Sequence, residues 1–153
     1  MTEFVDLQYR FKRNIEHENY MKYLINDAKL FQQYKDIMML SALIGYENNL
    51  YEDINKSASD GVLMSFFSHD DRVIIDLLAY AHTKDQHILQ SREKYHIFEK
   101  YYNGGFVALL QLLDLTENHL TIYDEEFFKE LALKLYRIII SYQIQPDYLI
   151  DLE

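Results

Sequence analysis

A mainly α fold, a compact bundle of about five to six helices with a short N-terminal β-strand or two-stranded ribbon, is predicted by three features of this chain. Apolar residues recur at helical spacing over most of its length. Only one proline and four glycines interrupt its 153 residues, and strand-like alternation is confined to one end. The third feature is the stretch Phe31 to Tyr46, FQQYKDIMMLSALIGY, in which Ile37, Met38, Met39, Leu40, Ala42, Leu43 and Ile44 leave almost no polar face. Water tolerates such a helix only where other elements surround it, which places it at the centre of the fold. At this length one hydrophobic core suffices, burying roughly 70% of the surface the unfolded chain exposes, so residues 1–153 are expected to form a single helical domain.

The elements follow in order. Val5, Leu7, Tyr9 and Phe11 alternate with Asp6, Gln8, Arg10 and Lys12, a strand pattern. A lone strand must pair, and the expected mate is Gly61 to Phe67, within a stretch where the helical period fails. Glu16 to Lys29 predicts an amphipathic helix carrying Tyr20, Tyr23, Leu24 and Ala28 on one stripe. The central helix, about 33–46, is expected to stop near Gly45, with Asn48 and Asn49 as a polar turn. Tyr51 to Asp60 is polar enough to be a mobile loop. Ser68, Asp70 and Asp71 form a helix start, the serine capping and the acids favoured by the dipole. Ile74, Leu77, Leu78 and Ala81 are then the expected buried stripe.

Ser91 is placed to cap the next helix, which stacks Tyr95, Phe98 and Tyr102 on one face. Asn103-Gly104-Gly105 is expected to break it at a sharp corner, Phe106, Leu109, Leu110 and Leu113 belonging to a new helix. The last helix opens at Asp124-Glu125-Glu126 and runs to about 143. Its main face is Phe127, Phe128, Leu131, Leu135, Ile138, Ile139 and Tyr142, but Leu133, Tyr136 and Ile140 lie off that face. Such a helix either crosses the bundle centre or offers surface to another chain. Pro146 is expected to end it, and the tail from Asp147 keeps Tyr148, Leu149, Ile150 and Leu152 as docking groups.

Fourteen tyrosines and nine phenylalanines stand against no tryptophan and no cysteine. Without cysteine there is no thiol nucleophile, thiolate metal site or disulfide frame. Residues 1–6 lack a secretory pattern and no apolar run approaches ~18 residues, so a soluble, cytoplasmic protein is expected. The formal charge of −10 argues against a sequence-independent grip on nucleic acid, which depends on neutralising phosphates. Arg10, Lys12 and Arg13, interleaved with Tyr9 and Phe11, are better explained as a strand edge.

No catalytic constellation emerges. His17, His69, His82, His87, His96 and His119 make no HExxH or His-x-x-x-His pair, so no metal or other cofactor is expected. Asp70, Asp71 and Asp76 with Lys84 are the nearest approach to a cation-dependent nuclease, but helix-start acids explain the first two. Nucleophile-elbow and phosphate-loop motifs are missing. Asn103-Gly104-Gly105 could present amides to an anion at a helix start, although a double glycine more often serves positive φ and close helix packing.

Two islands resemble a known family. Phe31, Lys35, Asp36, Ala42, Gly45 and Tyr46, followed by Tyr102, Asn103, Gly104 and Gly105, are similar in order and spacing to the small proteins associated with DNA phosphorothioation systems, specifically associated protein 4. The turn after Tyr46 departs from that pattern, having Glu47-Asn48-Asn49 where a basic turn is expected, so a phosphate contact there is not implied. The resemblance implies a bacterial or mobile-element accessory protein of anti-phage defence, without a defined activity to transfer.

The expectation is therefore a non-enzymatic subunit that binds another protein, with homo-oligomerisation open. Its expected partner surface comprises Lys35 and Asp36, the corner Asn103, Gly104 and Gly105, and the apolar arc Leu133, Tyr136 and Ile140. The alternative is an acidic, phage- or mobile-element-encoded inhibitor or regulator that engages a DNA-binding protein. Six acids against one lysine between Asp114 and Glu130 favour that form.

Overall fold

A computed structural model describes residues 4–144. It is mainly helical with one two-stranded antiparallel ribbon. In order come β1 (Arg10–Phe11), α1 (Glu18–Lys22), α2 (Tyr34–Glu47), β2 (Val62–Leu63), α3 (His69–Thr83), α4 (Glu93–Leu113) and α5 (Glu125–Ile144), with short 3-10 turns between several of them. The expected end of α5 at Pro146 and the tail beyond it lie outside the described residues.

The ribbon pairs as expected from the sequence, Arg10 opposite Leu63 and Phe11 opposite Val62. It is shorter than the alternation predicts because Asp6 turns the chain. Its carboxylate accepts from the Gln8 amide at 3.1 Å and its carbonyl from the Tyr9 amide at 3.1 Å, which leaves Leu7 47% exposed. Tyr51 to Asp60, the expected mobile loop, is tied down on both sides. Glu52 N donates to Lys100 O at 3.0 Å and Ala58 N to Arg13 O at 2.8 Å.

The helix predicted over 16–29 is a 3-10 turn, α1 and then a π turn over Tyr23–Asp27, where the Ala28 amide reaches back to the Tyr23 carbonyl at 2.9 Å. Ser68 caps α3 as predicted, with a reciprocal bond from the Ser68 amide to Asp71 at 2.9 Å. The α3 stripe is displaced from the predicted one. Ile75, Leu78 and Ala79 are buried while Leu77 is 61% exposed, because α4 meets α3 on the neighbouring face.

The chief correction concerns the expected corner. Asn103, Gly104 and Gly105 lie inside one continuous helix, α4, and no described glycine has positive φ. Gly45 likewise does not stop α2, which continues to Glu47. These glycines serve a helix crossing. A Cβ at Gly105 would overlap the Ser41 carbonyl oxygen and lie 2.7 Å from Gly45 N, so α2 and α4 pack backbone against backbone. A Cβ at Gly104 would meet Leu50 C and O at 2.7 Å, where the chain leaving α2 crosses over α4.

This central pair divides the interior into two apolar clusters. On one side Met38, Met39 and Ala42 of α2 and Tyr95, Phe98 and Tyr102 of α4 pack with Phe11, Phe67 and α3. On the other, Ile37 and Ile44 of α2 and Phe106, Leu109 and Leu113 of α4 pack with Leu24 and with Leu131, Leu135 and Ile138 of α5. Helix α5 thus covers one flank and does not cross the centre.

Candidate functional site: a groove and a strip along α5

Helix α2 is not enclosed all round, as its composition predicts. Leu40 and Leu43 are only half-buried, because α5 stands off from them. Together with Leu30, Phe31 and Met39 on one wall and Leu135, Ile139 and Tyr142 on the other, they line an open groove of about 390 Å³. Among the described residues its one charged lining group is Asp36, with Gln32 as a second polar group. Apolar walls with a few polar rim groups are the usual make-up of a site that takes an apolar side chain or a helix edge.

The outer face of α5, turned away from the groove, carries a second apolar feature. Leu133 is 50% and Tyr136 61% exposed, and Ile140 is half-buried. At about 100° per residue these three share one stripe opposite the buried residues Leu131, Leu135 and Ile138. The strip adds exposed apolar surface to a helix whose other outward residues are largely charged.

The remaining expected site residues fall elsewhere. Lys35 points away from the groove into an ion pair with Asp71 of α3 at 2.6 Å, and reaches Asp36 at 3.3 Å. The hydrogen bond it donates to Asp71 raises the Lys35 pKa. For Asp71, burial pushes upward, but the bonds from Lys35 and Ser68 win and hold its carboxyl below the usual range. Asn103 is buried and fully used. It donates to Glu52 O at 3.1 Å and Asp53 O at 3.0 Å and accepts from Asn14 at 3.0 Å. The two sequence islands do meet, but through Gly105 against Ser41 and Gly45, not at Lys35 and Asp36. Of the expected residues, only Asp36 lies in the groove. The groove residues Leu30, Phe31, Leu40 and Leu43 are absent from the sequence-based set. Their signal is the same all-round apolarity that marks the helix as central.

The acids considered for a nuclease are not gathered. Asp71 is held by Lys35, Asp76 pairs with the buried Lys94 at 2.9 Å, and Lys84 caps the far end of α3. Among the described residues no group of three or more His, Asp or Glu is placed to hold a metal. The Asn103-Gly104-Gly105 amides lie mid-helix, so no helix start presents them to an anion. A buried polar cluster does exist around Glu99, which accepts from Lys12 N at 2.8 Å with His96 at 3.4 Å. Burial pushes the Glu99 carboxyl up, and burial followed by the Glu99 charge pushes the Tyr9 hydroxyl up. This cluster anchors β1 to α4. Among the described residues no helix is long and apolar enough to cross a membrane.

These features define a mainly helical protein with an open apolar groove between α2 and α5. A family model described as DNA sulphur modification system-associated protein 4 matches residues 10–132, and the chain belongs to that family. The matched stretch runs from β1 into the first turns of α5, so Leu133, Tyr136 and Ile140 lie just past it. No curated protein and no solved structure shows significant similarity to the chain.

Proposed function

We propose that this protein is a non-enzymatic accessory subunit of an anti-phage defence or DNA-modification system, and that it works by holding an apolar segment of another protein of that system in the α2–α5 groove. The groove itself carries this reading: two apolar walls face each other across open space in a family associated with DNA sulphur modification. The charge of −10 and Asp36 on the rim favour an amphipathic helix with a basic flank.

The test is co-purification of the tagged full chain with the proteins of a DNA sulphur modification system, after nuclease treatment. A stoichiometric partner is expected, lost on Leu43→Glu while the circular dichroism spectrum stays unchanged. Retention of the partner by Leu43→Glu would remove the groove from the reading. A second reading rests on Asp114, Glu117, Asp124, Glu125, Glu126 and Glu130, all exposed, which would let the chain compete as an acidic inhibitor for a DNA-binding protein. That complex should dissociate steeply as salt rises, whereas a groove complex should persist.

A further inference from the structure

The outer face of α5 is self-complementary, and we propose that it pairs antiparallel with α5 of a second copy of this chain. Leu133, half exposed, lies at the centre of the pattern. Glu130 and Arg137 flank it one turn to either side, both exposed and both on the same edge of the strip. Lys129 and Tyr136 repeat the relation on the opposite edge, again exposed and again about one turn either side of Leu133.

A two-fold axis through Leu133, perpendicular to the helix, reverses the helix direction and keeps each edge with its own kind. Glu130 of one copy then faces Arg137 of the other, twice. Lys129 of one copy faces the ring of Tyr136 of the other, also twice, with a cation over an aromatic face. Leu133 meets its own copy on the axis. A parallel arrangement, whose axis runs along the helices, exchanges the edges and sets Glu130 beside Lys129 and Arg137 beside Tyr136, so that charge reversals at 130 and 137 cannot compensate one another. Among the described residues neither Glu130 nor Arg137 has an ion-pair partner within the chain, and Lys129 has only a 3.8 Å contact with Glu126 between two well-exposed side chains. Pairing therefore breaks little that the isolated chain holds. The face is separate from the α2–α5 groove, so a dimer leaves both grooves open.

Sedimentation equilibrium of the full chain should give twice the 18.5 kDa monomer mass at micromolar concentration. Glu130→Arg and Arg137→Glu should each weaken association by about a hundredfold or more, since each sets like charges together. An equimolar mixture of the two variants should dimerise again. In the mixed pair one copy carries two positive charges along that edge and the other two negative ones, so both contacts regain opposite signs. Leu133→Cys supplies an independent readout in a chain without cysteine. Mild diamide oxidation should link it into a disulfide dimer, while Glu117→Cys stays monomeric. A monomer at all concentrations, a dimer indifferent to both reversals, or a mixture that fails to reassociate would overturn the proposal.

Discussion

Each residue of the island Tyr101 to Gly105 is spent on a different neighbour. The Tyr101 hydroxyl bonds His82 at 2.8 Å, Tyr102 donates to the Lys12 carbonyl, Asn103 gathers Glu52, Asp53 and Asn14, Gly104 admits the backbone at Leu50 and Gly105 admits α2. Two opposing effects bear on Gly105→Ala. Helix propensity favours alanine by about 1 kcal/mol, whereas the new methyl would collide with the Ser41 carbonyl, a backbone atom that cannot swing aside. Overpacking should win, with a net loss of about 2 kcal/mol in urea unfolding. A gain in stability would mean that α2 and α4 do not cross this closely. Glycine serves here for proximity, which a reading of glycine as a stop signal cannot anticipate.

Among the elements, helix ends were the harder feature to place from the sequence and helix faces the easier. Left-handed positions follow the π turn, α2, α3 and α4, but they are filled by Lys29, Asn49, Lys84 and Asp114, with φ between 53° and 60°. Asn49 and Asp114 are of residue types that visit that conformation after glycine, whereas the two lysines are not. Starts were legible where a side chain caps its own helix, as Ser68 does for α3. Helix α5 has the predicted buried face, and its surplus apolar residues face outward. At concentrations low enough to keep the chain monomeric, Tyr136→Glu should therefore change unfolding free energy by no more than about 0.5 kcal/mol, with circular dichroism unchanged. A loss of several kcal/mol would place Tyr136 in the core after all.

At the scale of the whole molecule, two buried ionisable groups give stability opposite dependences on pH. His17, packed on the Phe106 ring at 4.7 Å, has its pKa lowered by burial, partly offset by Glu16. The folded chain binds that proton less well than the unfolded chain. Stability is thus present above the ordinary value of 6.5 and is lost as pH falls through the depressed one. Glu99 has a raised pKa, so its contribution is full below the ordinary 4.5 and is lost as pH rises through the folded value. Urea midpoints should fall from about pH 7.5 to 5.5, less so in His17→Gln; Glu99→Gln should flatten the opposing trend. Equal slopes in His17→Gln and the unaltered chain would remove His17 as the cause.

The sequence by itself determined the helical class, the ribbon and its mate, the capped start of α3, the buried faces of α4 and α5, and the family. All of these follow from local periodicity, capping chemistry or residue order, which a chain carries before it folds. Only the tertiary structure decided that α4 runs unbroken through its glycines, that Lys35 is committed to Asp71, and that α2 shares an open groove with α5. Those depend on how closely two distant helices approach. Ser41 and Gly45 set that distance for α4, and nothing in either helix alone states how far α5 stands from Leu40 and Leu43.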